Sequence, residues 1–171
     1  MRNKGIFRGF KAVLFIVMIN CQGFINDLRI RMGRLVNASF VAVLLFGSVA
    51  RCEADEHSDV DLLILHRGLS HIDHVRRRRA IYLAISALLR DYPLTVLDMD
   101  INDFLSPGLI TPLLLNIYWD AVVLLDRTGK LSEFLDYVRR RIIESGLRRI
   151  RDGKAYYWVL PKPPLERVRI I

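Results

Sequence analysis

Two short segments of the chain carry side chains suited to phosphate and metal chemistry. Gly47-Ser48 closes one apolar run, 40–46, and Ser58-Asp59-Val60-Asp61 leads into another, 59–65. A glycine at the end of a strand allows a tight turn and lets the backbone approach a ligand closely. If Ser48 opens a helix, free N–H groups and the positive end of the helix dipole face outward, which suits a phosphate. Asp59 and Asp61 stand two apart, so on a strand their carboxylates share a face. Two carboxylates aimed the same way repel unless a cation sits between them, and hard oxygen ligands suit Mg²⁺ or Mn²⁺. A phosphate turn beside a divalent-metal pair describes a site for a nucleoside triphosphate. Neither a Walker A segment nor GxGxxG is present, which sets aside P-loop and Rossmann readings.

These groups need rigid elements to hold them. Phe40–Phe46 (FVAVLLF) is a continuous β-prone run and reads as a buried strand. Residues 59–65 (DVDLLIL) read as a second strand, Leu94–Asp100 after Pro93 as a third, and 121–125 as a fourth. Helical spacing of apolar residues predicts helices over 24–35, 71–91 and 131–145, the last stopped by Gly146. Residues 102–118 read as a helix broken near Pro107 and Pro112, and Asp152-Gly153 marks a hairpin in the tail, 147–171. Alternating strands and helices imply an α/β (α+β) fold, a mixed β-sheet with helices packed on one side.

Length and composition bound the rest. A chain of 171 residues supports one domain with a core. With 52% hydrophobic and 26% charged residues it is not a disordered or low-complexity chain. No apolar run approaches the ~20 residues of a membrane span. Cys21 and Cys52 stand apart without metal-ligand spacing, which indicates neither a disulfide scaffold nor a zinc site and favours a reducing cytoplasm. The net charge of +8 is concentrated at the end: 138–171 holds ten Lys/Arg against three acids. That stretch suits a polyanionic partner such as RNA, although scarce glutamine and abundant arginine equally suggest a thermophile's surface. Arg2, Lys4, Arg8 and Lys11 precede the apolar stretch 12–19 like a secretory signal, but no small-residue cleavage site follows. An added helix or strand, or an upstream extension with Met18 as the true start, is the preferred expectation.

The segment Gly47-Ser48-Val49-Ala50-Arg51, with Ser58-Asp59-Val60-Asp61-Leu62-Leu63-Ile64 after it, resembles a known signature. It is that of the nucleotidyltransferase superfamily of DNA polymerase beta, G-S-x-A-R-G and then D-x-D about ten residues later. The likeness is greatest to the minimal nucleotidyltransferases of prokaryotes, archaeal ones especially. It spans 46–64, continues more weakly through the next helix and strands, and includes the ending Tyr156-Tyr157-Trp158. The resemblance implies that Gly47 and Ser48 bind the triphosphate and that Asp59 and Asp61 hold Mg²⁺ or Mn²⁺. It also implies a third carboxylate on a neighbouring strand. Asp98 is preferred for that role; Asp100 shares its strand parity, and one alignment puts Thr95 in the family's place. Without an acid there, turnover would be slow or absent. Arg51 either neutralises phosphate or forms a structural ion pair. The family's glycine after that arginine is Cys52 here, at a cost of about 1 kcal/mol if positive φ is required.

The implied reaction moves a nucleoside monophosphate from an NTP, ATP by default, to a hydroxyl of a protein or RNA acceptor. A separate helical HEPN-type protein is a candidate partner, as in toxin–antitoxin pairs, and a catalytically inactive nucleotide- or RNA-binding module of the same fold is the alternative. The expected organisation is an N-terminal extension and helix at 1–35, a nucleotidyltransferase core at 36–127, and a basic helix and hairpin at 128–171 within the same globule. Among the remaining residues, His57 reads as an exposed loop histidine and Ser58 as a cap at the strand entry. Arg76 to Arg79 read as a solvated helix segment. Trp119, Tyr156, Tyr157 and Trp158 suit core packing or base stacking. Arg139, Arg140, Arg141, Arg148, Arg149 and Arg151 are the candidate acceptor surface.

Overall fold

A computed structural model describes residues 20–161 and 170–171. The signal-like segment of the N-terminus lies outside these described residues. Strands β1 (Phe40–Phe46), β2 (Val60–His66), β3 (Leu94–Asp100) and β4 (Val122–Asp126) form one mixed sheet in the order β3-β2-β1-β4. β1 runs antiparallel to both neighbours, while β2 and β3 are parallel. Every residue of β1 is buried. An unbroken apolar strand has no side to give to water, so both faces of the sheet must be covered.

Helices cover both faces, not one side as the alternation suggested. Helix α1 (Cys21–Met32) and helix α3 (His74–Leu88) pack on the face of Val43, Leu45, Leu62 and Ile64. Helices α4 (Ile101–Leu105), α5 (Pro112–Asp120) and α6 (Leu131–Glu144) pack on the face of Ala42, Leu44, Leu63 and Leu65. Between β1 and β2 lies the short helix α2 (Gly47–Ala50).

Local chemistry sets the boundaries. The Asn20 side chain accepts from Gly23 N–H to start α1, and Asp73 accepts from Val75 and Arg76 N–H to start α3. Thr111 caps α5 with Pro112 in its first turn, which divides the helical stretch 102–118 into α4 and α5. The expected hairpin forms from β5 (Arg148–Asp152) and β6 (Ala155–Val159). Its root is tied to α5: Trp158 Nε1 donates to Asn116 Oδ1 at 2.9 Å, and Trp119 and Trp158 meet edge to face.

Cys21 and Cys52 correct the sequence expectation, because they are joined by a disulfide. Spacing alone could not reveal it, since the fold brings the start of α1 against the loop after α2. Among the described residues no helix is long and apolar enough to cross a membrane.

Candidate active site

Gly47 turns the chain out of β1 with φ of +74°. Phe46 lies opposite Asp61 in the β1–β2 register, so the Asp61 carboxylate rests against the turn. A Cβ on Gly47 would stand 2.0 Å from Asp61 Oδ2. Both the backbone angle and the space therefore require glycine. Behind it, Arg51 N–H donates to Gly47 O and Glu53 N–H to Ser48 O, which closes the loop beneath Ser48.

Asp59, immediately before β2, and Asp61 on it have the same strand parity, as the sequence implied. Burial and the neighbouring Asp59 carboxylate push the Asp61 carboxyl up to about 6, against the pull of the Arg51 guanidinium. A cation between the two carboxylates would relieve that repulsion, so the pair fits a hard divalent ion. Among the described residues no group of three or more His, Cys, Asp or Glu side chains comes together to hold a metal. An ion here would take its remaining ligands from phosphate oxygens and water, as Mg²⁺ commonly does.

Asp98 does not join them. Asp61 pairs with Thr95 across β2–β3, and Thr95 Oγ1 donates to Asp59 Oδ2 at 3.1 Å. Asp98 pairs with Ile64, one parity step off, which places its carboxylate on the opposite face. There it is 3% exposed, accepts from Arg77 Nε at 2.6 Å and lies 3.3 Å from His66 Nε2. Asp100, of the same parity as Asp98, caps α4 by accepting from Asn102 N–H and also accepts from Ser70 Oγ. The position facing the Asp59–Asp61 pair belongs to Thr95.

Arg51 is placed as an ion-pair residue. Its guanidinium donates to Glu53 at 2.8 Å and to Asp120 at 3.0 Å. Asp120 also receives a bidentate contact from Arg149, both nitrogens at 2.6 Å. The Tyr156 ring is shared by the Arg51 and Arg149 guanidinia, whose centres lie 4.7 and 4.0 Å from its centroid. Its hydroxyl donates to Glu53 at 2.6 Å. No local signal marks Asp120 or Lys154 as neighbours of this site, and Tyr156 is a base-stacking or core candidate in sequence rather than an ion-pair partner. The Asp152-Gly153 turn announced a hairpin but not where its tip lands.

That tip and the loop after α2 line an open cavity of about 260 Å³ that also reaches Ser48 and Arg51. Lys154 pairs with Asp55 across it. The hydrogen bond from Lys154 holds the Asp55 carboxyl down at about 2, with help from the His57 backbone N–H and Ser58. Ser58 Oγ donates to Asp55 Oδ1 and accepts from Asp55 N–H, so it shapes the loop rather than the strand entry. The His57 side chain is exposed. Several arginines of the basic tail are engaged: Arg139 donates to the Tyr118, Trp119 and Ala121 carbonyls at the end of α5, and Arg141 pairs with Glu144.

The chain matches one known protein family. Residues 36–129 match the family model described as Polymerase beta, Nucleotidyltransferase. No curated protein is similar enough to the chain to count as a match. One similar solved structure is a protein from Sulfolobus solfataricus provisionally assigned as a nucleotidyltransferase. It is 21% identical with a TM-score of 0.41, over 63% of this chain and 85% of that one. Another, described as a toxin–antitoxin with AMP-PNP, is 15% identical with a TM-score of 0.44, over 69% of this chain and 92% of that one. The family match covers more than half of the chain, which belongs to the polymerase beta nucleotidyltransferase family and is an enzyme of that class.

Proposed function

We propose that the protein transfers a nucleoside monophosphate from ATP, with Mg²⁺, to a hydroxyl of a protein or RNA acceptor and releases pyrophosphate. The observation that carries this reading is the juxtaposition of Gly47 with Asp61: a turn that only glycine can make, set against one of two carboxylates of the same strand parity. Asp59 and Asp61 would hold the metal, which when bound would supply charge neutralisation for the attacking and leaving oxygens. The turn at Gly47 and Ser48 would receive the phosphate chain, and Ser48 lines the adjoining cavity. Arg51, engaged with Glu53 and Asp120, braces the loop behind that turn. Thr95 fixes the orientation of Asp59 through its hydroxyl.

Thr95 also favours a second reading. With a hydroxyl where a third acid would stand, no β3 carboxylate takes the acceptor's proton, and the protein binds nucleotide with little turnover. A helical HEPN-type partner encoded separately is the acceptor we favour, on the motif resemblance, with a cytoplasmic site of action. The Cys21–Cys52 bond is compatible with a cytoplasm in a thermophile, whose intracellular proteins keep disulfides. The reading of 1–35, 36–127 and 128–171 as extension, core and basic appendage remains part of this proposal.

Isothermal titration of ATP with and without Mg²⁺, on the wild type and on Asp59→Asn, tests it. Metal-dependent binding lost in the variant, with an unchanged circular dichroism spectrum, is the expected result; equal binding by both proteins would overturn the metal assignment. Label transfer from α-labelled ATP to a co-expressed partner separates turnover from binding alone.

A further inference from the structure

The hairpin β5–β6 lies outside the matched residues 36–129, yet its tip forms one wall of the cavity beside Ser48. Its two ends differ in how firmly they are held. At the root, Arg149 and Asp120 make a bidentate pair whose side chains are 10% and 6% exposed. At the tip, Lys154 pairs with Asp55 at 85% and 33% exposure, and Arg151 lies 3.4 Å from Glu53 at 58% and 27%. Exposed ion pairs of this kind contribute little to stability, so the two cations exchange readily for a better anion, and Glu53 keeps Arg51 and Tyr156 when Arg151 leaves it. The tip therefore has a fixed base and two exposed cations paired with carboxylates, in the wall of a cavity that Ser48 also lines; Arg151 Nε donates besides to Gly153 O within the hairpin turn.

On the nucleotide reading given above, we infer that Lys154 and Arg151 form a clasp for the outer phosphates of the bound nucleoside triphosphate. Asp55 and Glu53 hold the places of those phosphates while the site is free. When the triphosphate chain enters over Gly47 and Ser48, Lys154 leaves Asp55 and Arg151 leaves Glu53, and both donate to phosphate oxygens. A polyvalent anion that takes several charge-assisted hydrogen bonds outcompetes single carboxylates. The root does not move, because Arg149 keeps Asp120 and Trp158 keeps Asn116. The clasp selects for the length of the phosphate chain: a monophosphate lies short of the hairpin, and a triphosphate reaches it.

The test compares binding of ATP, AMP and inorganic tripolyphosphate, each with Mg²⁺, to the full chain and to Lys154→Ala, Arg151→Ala and Asp55→Asn. Loss of either cation is expected to weaken ATP about tenfold and to leave AMP unchanged. Tripolyphosphate should follow ATP. Asp55→Asn removes the competing carboxylate and should tighten ATP severalfold. The sign matters, because Lys154→Ala and Asp55→Asn break the same ion pair. If that pair merely fastened the hairpin, both variants would weaken ATP alike, and that result overturns the clasp. ATP binding that is metal-dependent but indifferent to all three substitutions overturns the clasp and leaves the proposed function standing. Absence of ATP binding by the wild type overturns both.

Discussion

Replacing Cys52 separates two contributions that the structure superimposes at one residue. Cys52 closes a covalent loop to Cys21 over a sequence separation of 31, and it holds φ of +57°, alone among the described non-glycine residues. In the chain-entropy account a loop of that length costs the unfolded chain about 12 cal/mol/K, or about 4 kcal/mol at 25 °C. A non-glycine residue in the left-handed region adds strain of about 1–2 kcal/mol. Cys52→Ser loses the cross-link and keeps the strain. Cys52→Gly loses the same cross-link, is freed of the strain, and returns up to about 1 kcal/mol to the unfolded chain through added flexibility. The serine variant should therefore lie about 4 kcal/mol below the oxidised wild type, and the glycine variant up to about 1–2 kcal/mol above the serine variant. At 2–4 °C per kcal/mol for a chain of this size, that is a fall of about 8–16 °C with a few degrees recovered by glycine. Thermal denaturation followed by circular dichroism, with and without a thiol reductant, reads both effects. Reductant should lower the wild type toward the serine variant and leave both variants unmoved. A glycine midpoint below the serine midpoint would refute the strain argument. A wild type that titrates with two free thiols before reduction would refute the cross-link.

Two further substitutions address the third-acid position. Asp98→Asn should lower stability by about 3 kcal/mol, because it leaves Arg77 facing a neutral amide in a nearly buried site. Nucleotide binding by the folded fraction should be unchanged, and weakened metal-dependent ATP binding at full folding would return Asp98 to the site. Thr95→Asp should place a third carboxylate beside Asp59 and Asp61. The Mg²⁺ concentration for half-maximal ATP binding should fall, while the metal-free protein melts at lower temperature through added repulsion. A metal requirement identical to the wild type would show that position 95 does not face the ion.

The elements were legible because each had a local cause. Phe40–Phe46 is a seven-residue apolar run, and the structure gives it the same bounds, as it does Leu94–Asp100. Helix ends were less legible: α3 begins only at His74, where Asp73 supplies the cap, rather than at 71. In the candidate site, the apolar run 40–46 marks Gly47 as the turn out of β1, and the shared parity of Asp59 and Asp61 follows from spacing within one strand. The third-acid position does not, because it depends on register between β2 and β3, and a shift of one residue exchanges the faces. Parity within β3 shows that Asp98 and Asp100 point the same way. It says nothing of whether that is the way Asp61 points. The disulfide, the Asp120 anchor and the Lys154–Asp55 pair were hidden for a related reason: each joins residues far apart in sequence with no local signal at either end.

The polar surroundings of the Gly47-Ser48 turn form a single chain of contacts, which explains why Arg51 and Arg149 both lie behind it. Asp120, at the end of α5, holds Arg51 and Arg149 together. Arg51 reaches Glu53 in the loop after α2, and Arg149 carries the hairpin whose Tyr156 returns to the same Glu53. The loop beneath Ser48, the last turn of α5 and the hairpin are thereby fixed to one another through one buried carboxylate. A buried charge shared by two guanidinia holds geometry more than it adds stability, since desolvation of the three groups offsets much of their attraction. Loss of Asp120 would take from Arg149 the carboxylate it pairs with and leave Arg51 with Glu53 alone, behind the Gly47-Ser48 turn. Its effect on nucleotide binding should therefore exceed that of removing any single exposed pair at the hairpin tip.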